Sequence, residues 1–221
     1  MIKPFIQPNW QAPSHIKAYT STRALKEDIV EALQLPSPPC WLNQIHGNRV
    51  VEADSASINE SADASFTAHV NQPCIIRTAD CLPILLCNKS GTHVAAIHGG
   101  WRGLAGGIIQ NTLDALKLPS ESILAWLGPA IDQAHYEIDE PVYSAFISKF
   151  PYTAEAFMPL SGGHWLLSLY EIARLQLVKA GVTAITGGEY CTYHDSDQFF
   201  SYRREGAKTG RMMSVIWIAP D

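Results

Sequence analysis

Residues 74–103 read CIIRTADCLPILLCNKSGTHVAAIHGGWRG, and this segment carries the clearest fold signal in the chain. It contains three short apolar runs, at 74–78, 82–87 and 93–98. These runs are apolar along most of their length and are bounded by turn residues, which is typical of buried strands. Gly99 and Gly100 then permit a tight turn into a helix that begins near Arg102. The stretch therefore predicts buried strands followed by a strand-to-helix turn.

Outside this stretch, the same patterns predict further strands and four helices. The additional strands are 40–45, 49–52, 123–128, 182–185 and 213–218. The helices are 22–33, 102–116, 139–150 and 168–180. Gly106 and Gly107 weaken the second helix, and Gly181 ends the fourth. Because strands both alternate with helices and arrive as close pairs, we expect one α/β (α+β) domain over 1–221, with mixed sheet layers covered by helices.

The composition bounds the class of protein. With 221 residues and 47% hydrophobic content, the chain can bury one substantial core. A formal net charge of -5 without a Lys/Arg cluster argues against nucleic acid or an anionic membrane as the main partner, and favours a small molecule. The absence of a signal-like or membrane-spanning run predicts a cytoplasmic location. Five cysteines without Cys-x-x-Cys spacing favour reduced thiols.

Three soft-ligand residues, His46, Cys81 and His98, each lie in a short polar or glycine-rich break beside an apolar run. Two imidazoles and one thiolate form a complete protein ligand set for a catalytic zinc with an open coordination position. In a strand over 93–98, period two puts His93 and His98 on opposite faces, so the two do not easily serve one site. The alternative is a structural role for these residues, with Cys81 as a small buried hydrophobic residue and His46 as a turn residue.

An ordered series of short strings links this chain to a known family. The strings are NQIHGNRV (43–50), ADA (62–64), TADCLP (78–83), HGGWRG (98–103), GPAI (128–131), YEI (136–138), CT (191–192), FFSYRR (199–204) and TGR (209–211). Together they resemble the family called multicopper polyphenol oxidases or laccase-domain proteins. The resemblance runs from about residue 40 to the C-terminus, and the first forty residues carry no matching motif.

The resemblance implies a fold related to toxin deamidases and a zinc-dependent purine nucleoside phosphorylase. Such enzymes convert adenosine, inosine or guanosine and phosphate to a free base and ribose 1-phosphate. They also have adenosine deaminase and methylthioadenosine phosphorylase activities, and one bacterial branch is described as a peptidoglycan editing factor. Carried over by position, the metal ligands would be His46, Cys81 and His98, with copper as an alternative metal in vitro. Gly99 stands where the family usually has alanine.

Deamination requires a carboxylate that moves protons beside the metal site. Asp80, next to Cys81, is the first candidate for this catalytic role, and Asp63 is the weaker one. The alternative for Asp80 is a turn or capping residue that accepts backbone N–H groups.

Phosphorolysis requires cations that hold phosphate near C1′ of the ribose, and arginine suits that task. Arg102, Arg49 and Arg203 are the candidates, of which Arg102 begins a predicted helix. Asn43 and Gln44 are candidates for hydrogen bonds to ribose or base. Each of these side chains has a structural alternative, as a solvated arginine or an amide that satisfies buried backbone.

Aromatic residues inside or beside the matching strings could stack on a purine. They are Trp101, Tyr136, Phe199, Phe200 and Tyr202. Most of them are expected in the core, whereas Phe199-Phe200 in a polar loop favours a ligand or dimer contact. Glu137 is a further residue that could face the site. The sequence does not distinguish a monomer from an oligomer.

Three other functions compete with this interpretation. A multicopper oxidase needs many paired histidines, whereas eight scattered histidines without His-x-His make laccase-type catalysis the weaker choice. A metal-free thiol hydrolase would use Cys81 as nucleophile with His98 or His46 as base, and would suit an amide in a peptidoglycan precursor. It needs one histidine, whereas zinc needs both. A non-catalytic binding module is least favoured, because an open ligand set has no purpose there.

Overall fold

The computed structural model describes residues 2–54 and 59–220, and these residues form thirteen strands and six α-helices. The strands are Phe5–Ile6 (β1), Ile16–Ser21 (β2), Val50–Glu52 (β3), Ala64–Thr67 (β4), Cys74–Thr78 (β5), Leu82–Asn88 (β6), Val94–Gly99 (β7), Ile123–Leu127 (β8), Glu137–Asp139 (β9), Phe157–Pro159 (β10), His164–Leu167 (β11), Ala184–Gly187 (β12) and Met212–Ile218 (β13). The helices are Ile29–Ala32 (α1), Trp101–Gly106 (α2), Ile108–Leu116 (α3), Glu140–Ile147 (α4), Leu169–Lys179 (α5) and Tyr202–Glu205 (α6). The first and last residues of the predicted domain lie outside the described residues.

A six-stranded mixed sheet with the order β12-β8-β6-β7-β4-β3 occupies the centre. β6 pairs antiparallel with both β7 and β8, whereas the β12-β8 and β3-β4 pairs are parallel. Along β6, Ile84 and Leu86 belong to the helix-side core, and Leu85 and Cys87 to the opposite core. Because both faces are covered, the strand is buried throughout, which explains its unbroken apolar sequence.

A four-stranded antiparallel sheet, β1-β2-β13-β5, covers one face of the central sheet. Ile76 and Ile216 of this second sheet pack in one core with Leu85 and Trp126 of the central sheet. Its outer face packs on α1 through Ile29. The molecule therefore has two sheet layers, each with a covered outer face.

Helices α3, α4 and α5 cover the other face of the central sheet, and their apolar residues join its helix-side core. The Ser168 side chain accepts the backbone N–H of Glu171 at 3.1 Å and caps α5, so the predicted start of this helix is confirmed. A small antiparallel sheet, β10-β11-β9, completes the fold. The predicted single domain with mixed sheets covered by helices is confirmed.

The predicted helix over 22–33 is mostly wrong, because only Ile29–Ala32 is helical. Thr22 donates its hydroxyl to the backbone oxygen of Lys3 at 2.7 Å and holds the chain in a turn. Asp28 accepts the N–H of Val30 at 2.8 Å, so the helix begins there.

Other predicted elements differ in their ends. The helix over 102–116 is two helices, because Gly107 adopts a left-handed φ of 91° between α2 and α3. The helix over 139–150 ends at Ile147. Residues 40–45 form only isolated bridges, Cys40 to Cys74 and Asn43 to Ser61, instead of a strand.

The strands that the patterns did not predict are β1, β2, β4, β9, β10 and β11. Among the described residues, no helix is long and apolar enough to cross a membrane.

Candidate functional site

The structure brings His46, Cys81 and His98 together. Their candidate ligand atoms all lie within 4.8 Å of one another, and the two imidazole rings meet edge to face with centroids 4.7 Å apart. Antiparallel pairing of β6 with β7 sets Leu82 opposite Gly99, so Cys81 and His98 emerge at the same end of the sheet. The loop before β3 brings His46 to this point. The spacing of the three residues along the sequence does not predict that they lie close together. Strand register brings Cys81 and His98 together.

A buried carboxylate, that of Asp63, holds two of these residues in place. It accepts a hydrogen bond from ring Nδ1 of His98 at 2.7 Å. It also accepts hydrogen bonds from the backbone N–H groups of Ile45, His46 and Gly47 at 3.2, 2.9 and 2.7 Å. Burial alone raises the pKa of Asp63, but the hydrogen bonds from His98 and Gly47 outweigh it, so the pKa is lowered. Asp63 therefore stays ionised and orients both histidines.

Two non-glycine residues at the site adopt left-handed backbone conformations, His46 with φ 59° and Asp80 with φ 87°. Hydrogen bonds to Asp63 hold the His46 turn. The Asp80 carboxylate accepts the hydroxyls of Thr192 at 2.6 Å and Ser201 at 3.1 Å, and the backbone N–H of Arg203 at 2.7 Å. These bonds fix the turn that aims Cys81, as expected where local strain is offset by surrounding contacts.

The electrostatics favour a thiolate at Cys81. Burial raises its pKa, but the charge of His98 and hydrogen bonds from His46 and His98 outweigh this and lower it to about 6. Burial lowers the pKa of His98, but the Cys81 charge and the Asp63 hydrogen bond raise it to about 9. Cys81 and His98 therefore stabilise each other as an ion pair at neutral pH.

The donor set fits a tetrahedral divalent metal such as zinc. Nitrogen and sulfur ligands of zinc lie about 3.3 to 3.7 Å apart, so the three ligand atoms need little rearrangement. With Nδ1 of His98 bonded to Asp63, its Nε2 remains for the metal, which is the carboxylate-histidine arrangement of many metal sites. The backbone at Gly100 lies against the cluster: a Cβ there would be 3.1 Å from His46 Cδ2 and 3.3 Å from Cys81 Sγ.

The cluster opens into a cavity of about 830 Å³. Its lining includes four arginines, Arg77, Arg102, Arg203 and Arg211, together with Gln44 and Asp80. The volume is in the range of small-molecule sites. Four guanidinium groups beside one metal-type cluster make a site suited to an anionic or phosphate-bearing ligand.

All four of these guanidinium groups lie over aromatic rings: Arg77 lies 5.6 Å from the Trp41 ring centroid, and the other three lie over rings that themselves line the cavity. Arg102 is 4.3 Å from the Trp101 ring centroid, Arg203 is 5.2 Å from that of Tyr136, and Arg211 is 6.0 Å from that of Tyr202. Cation-π contacts of this kind limit where an arginine head can point.

Some predicted site residues lie elsewhere. Asn43 is outside the lining and donates to the Ser61 hydroxyl at 3.0 Å, and Arg49 is outside it and forms an ion pair with Glu60. Gln44 lines the cavity, but both ends of its amide bond the backbone of Arg77, at 2.8 Å each. Its amide therefore serves first to anchor the segment that carries Arg77.

The remaining aromatic candidates and Glu137 are also outside this lining. Phe199 is fully buried, and Phe200 contacts the guanidinium of Arg23 at 4.9 Å. Glu137 is exposed and lies 3.0 Å from His164. These positions favour the structural interpretation for Phe199 and place Glu137 in a shallower neighbouring depression.

Sequence reasoning missed Arg77 and Arg211 as cavity residues and gave Asp63 a different role. Arg211 lies in the TGR string, so the string itself was the available signal. Arg77 is the single exposed residue of the buried strand β5, and a charge in such a run is informative. The bonds of Asp63 to the His46 loop have no signal in the sequence.

The structure is that of a single-domain mixed α+β protein with a two-histidine, one-cysteine cluster in an arginine-lined cavity. Residues 19–219 match the family model described as multi-copper polyphenol oxidoreductase laccase, and the chain belongs to this family. The resemblance inferred from the sequence strings is confirmed.

Relatives of known name span nearly the whole chain. A protein named purine nucleoside phosphorylase from Pseudomonas aeruginosa is 39% identical, covering 97% of this chain and 98% of its own length. The Escherichia coli protein named purine nucleoside phosphorylase YfiH is 37% identical, with 96% and 98% covered. A crystal structure of a Neisseria meningitidis protein superposes with a TM-score of 0.92 at 38% identity, covering 99% of this chain and 100% of that one.

Proposed function

We propose that this protein is a metal-dependent purine nucleoside phosphorylase, a single catalytic domain whose substrates are a purine nucleoside and phosphate. The observation that carries the proposal is the presence of the His46, Cys81 and His98 cluster and four arginines in one cavity. The names of the relatives point to the same reaction class.

His46, Cys81 and His98 would hold zinc, and copper is a possible substitute in vitro. When bound, the metal supplies Lewis acidity at an open coordination position. The chain supplies the rest: Asp63 keeps His98 in one tautomer and holds the His46 turn, and the low pKa of Cys81 keeps the thiolate available.

Phosphate would bind to the arginines, with Arg102 as the principal catalytic cation and Arg203 as a binding partner. In phosphorolysis a phosphate oxygen forms a bond to C1′ while the bond from C1′ to the purine nitrogen breaks. The base leaves with the electron pair and takes up a proton. The arginine charges orient the phosphate toward C1′ and stabilise its negative charge in the cavity.

The purine would stack on the aromatic walls, and Trp101, Tyr136 and Tyr202 offer ring faces in the lining. Gln44 would hydrogen-bond the ribose or base. Asn43 and Arg49, which the sequence also proposes as substrate-binding residues, would have to act from outside the described lining.

Adenosine deamination and methylthioadenosine phosphorolysis are proposed as secondary activities of the same cavity. Asp80 is the proposed proton shuttle for deamination, because this residue lines the cavity and precedes Cys81. Its three hydrogen-bond donors also make it a structural anchor, so Asp80→Asn should reduce deamination and phosphorolysis together if anchoring dominates. Loss of deamination alone would support the shuttle.

The test combines metal analysis with phosphate-dependent release of adenine from adenosine, on the wild type and on Cys81→Ala and His46→Ala. We expect activity to follow zinc at the cluster and to be lost in both variants. Arg174, which bonds the backbone of Gly187 away from the cavity, supplies a control as Arg174→Lys. Full activity without metal, or after loss of His46, would overturn the proposal.

A second candidate function is that of a cysteine-dependent amide hydrolase acting on a peptidoglycan precursor. A specific arrangement of side chains supports it. Cys81, His98 and Asp63 form a chain in which a nucleophile-type thiol contacts a histidine that is oriented by a buried carboxylate. This enzyme would keep its activity in His46→Ala and in chelator, whereas alkylation of Cys81 would abolish it. The same variants therefore separate the two functions.

Copper polyphenol oxidation is the least favoured of the three. A blue copper centre with a three-copper cluster needs many histidine ligands in close groups. Residues 2–54 and 59–220 contain two groups of three or more side chains that could hold a metal ion. One group has two histidines and the other has one. That donor set does not supply such a centre.

A further inference from the structure

A second group of metal-ligand side chains lies outside the cluster of His46, Cys81 and His98. Asp132, His135 and Cys191 place one donor atom each within 4.8 Å of the others. The short 3-10 turn Gln133–His135 brings Asp132 and His135 together, and an isolated parallel bridge between Ala130 and Cys191 brings the cysteine alongside.

The distances within this second cluster resemble a ligand set. Cys191 Sγ lies 3.5 Å from His135 Nδ1, close to the separation of about 3.5 Å between sulfur and nitrogen ligands of tetrahedral zinc. Asp132 Oδ1 lies 2.7 Å from the same nitrogen, a hydrogen bond that a cation would replace. The His135 ring is stacked on Tyr193 with centroids 4.7 Å apart, which limits its rotation.

Three backbone N–H groups surround the Cys191 sulfur: that of His194 donates to Sγ at 3.3 Å, and those of Asp132 and Tyr193 also act to lower its pKa. Burial and the charge of Asp132 outweigh these hydrogen bonds, so the pKa of the thiol is raised and the metal-free site holds a protonated thiol at neutral pH. A bound metal ion would displace that proton, as it does at cysteine ligands in general. Cys191 is 7% exposed, whereas the Asp132 and His135 side chains are 38% and 30% exposed, so an ion can reach the cluster from one side.

We propose that Asp132, His135 and Cys191 form a second binding site for a borderline-soft divalent metal ion of the zinc class. One carboxylate, one imidazole and one thiolate suit such an ion and not Mg²⁺ or Ca²⁺, which prefer oxygen ligands alone. Binding releases the thiol proton of Cys191 to solvent, and the ring proton of His135, which Nδ1 donates to Asp132 in the metal-free site, moves to Nε2 by exchange with solvent. His194, whose ring centroid lies 6.3 Å from that of His135, is a candidate for a fourth ligand.

The location gives this second site a structural role. Thr192, next to Cys191, donates to the Asp80 carboxylate that holds the turn before Cys81. Ile131 and Tyr136, on either side of the 132–135 segment, line the cavity. A metal here would join the segment that contributes Ile131 and Tyr136 to the cavity wall to the segment whose Thr192 holds the Asp80 carboxylate.

The test is metal stoichiometry of the full chain, loaded with zinc or cobalt(II). We expect two ions per chain in the wild type, one in Cys81→Ala and one in Cys191→Ala. In cobalt-loaded Cys81→Ala, a thiolate-to-cobalt absorption band should remain, and it should disappear in the Cys81→Ala/Cys191→Ala double variant. Cys87→Ala, at a buried cysteine outside both clusters, should keep two ions.

A milder variant guards against misfolding. Asp132→Asn keeps an oxygen to accept from His135 and removes the charge, so it should retain the fold and weaken the second ion only. One ion in the wild type that is lost in Cys81→Ala and kept in Cys191→Ala, or two ions in both Cys191→Ala and Asp132→Asn, would overturn the second site. Those outcomes would leave the phosphorylase proposal standing, because that proposal depends on Cys81 and His46.

Discussion

Asp63 and His98 are joined twice: the His98 ring donates to the Asp63 carboxylate at 2.7 Å, and the His98 backbone N–H donates to the Asp63 backbone oxygen, also at 2.7 Å. The carboxylate is fully buried and also accepts three N–H groups of the His46 turn. One acidic side chain therefore sets the positions of both imidazoles. The geometry of the cluster depends on a residue that does not itself belong to the ligand set.

We expect Asp63→Asn to weaken zinc binding by about 10- to 100-fold, the usual cost of losing a carboxylate partner of a histidine ligand. Competition with a calibrated chelator measures this. Glu60→Gln, at an exposed carboxylate of the same region that pairs with Arg49, should keep wild-type affinity. Unchanged affinity in a folded Asp63→Asn protein would contradict the positioning role.

Gly100→Ala should reduce metal affinity and activity, because the added methyl group lies 3.1 Å from His46 and 3.3 Å from Cys81. Gly47→Ala is the matched control. A Cβ there would lie 3.5 Å from Asp63 and Ile45, an ordinary contact distance, so the cluster should be preserved. Equal affinities of the two variants, measured by chelator competition, would show that the cluster tolerates crowding at Gly100.

In metal-stripped protein, Cys81 should be the most reactive thiol at neutral pH. Its pKa is about 6, whereas burial raises the pKa of Cys40 to about 11 and those of Cys74 and Cys87 to about 12. The rate of iodoacetamide labelling, followed by mass spectrometry, should rise with a midpoint near pH 6 and be absent in Cys81→Ala. A midpoint near that of a free thiol, about 8.5, would contradict the ion pair.

Arg102→Ala should raise the KM for phosphate more than the KM for nucleoside, because its guanidinium lines the cavity. A loss of about 1.5 to 3 kcal/mol, the value of a charge-assisted hydrogen bond, corresponds to a change of about 10- to 100-fold. Arg49→Ala tests whether Arg49 binds substrate, as its sequence position suggests, or does not, as its position outside the cavity lining suggests. It should leave both KM values unchanged, since Arg49 lies outside the lining, and a higher phosphate KM would favour the sequence-based role.

Glu205 should contribute stability that is lost in acid. Its hydrogen bond from Thr209, together with those from Arg204 and Arg23, lowers its pKa from 4.5 to about 2. Because the folded-state pKa is lowered, the contribution is present above pH 4.5 and is lost as the pH falls toward 2. Glu205→Gln should therefore cost about 1 to 2 kcal/mol at pH 7, after allowance for partial exposure, and about nothing near pH 2.

Urea unfolding at several pH values measures this difference. The exposed Glu155, changed to glutamine, is the control and should show no such pH dependence. A constant difference between Glu205→Gln and the wild type from pH 7 to pH 3 would contradict the prediction.

The buried strands, the start and end of α5, and the identity of the three possible ligands could be predicted from local sequence patterns. Local signals carry these features: unbroken apolar runs such as 82–87, the capping serine at 168, and soft-ligand residues in glycine-rich breaks. Local signals failed at 22–33, because the contact of Thr22 with Lys3 is a tertiary interaction. They also failed for short strands such as β9 and β11, whose partners are distant in the chain.

Which of these residues lie in contact depends on long-range packing, and local sequence patterns do not show it. Strand register sets Cys81 beside His98. Asp63 holds the cluster in place because its buried carboxylate accepts hydrogen bonds from the His46 turn, and nothing in the sequence around it indicates this role. The same long-range packing gathers Arg77 and Arg211 into the cavity and leaves Arg49 outside its lining. Sequence fixes the chemical character of each side chain locally, whereas distances between side chains far apart in the chain depend on how the layers pack.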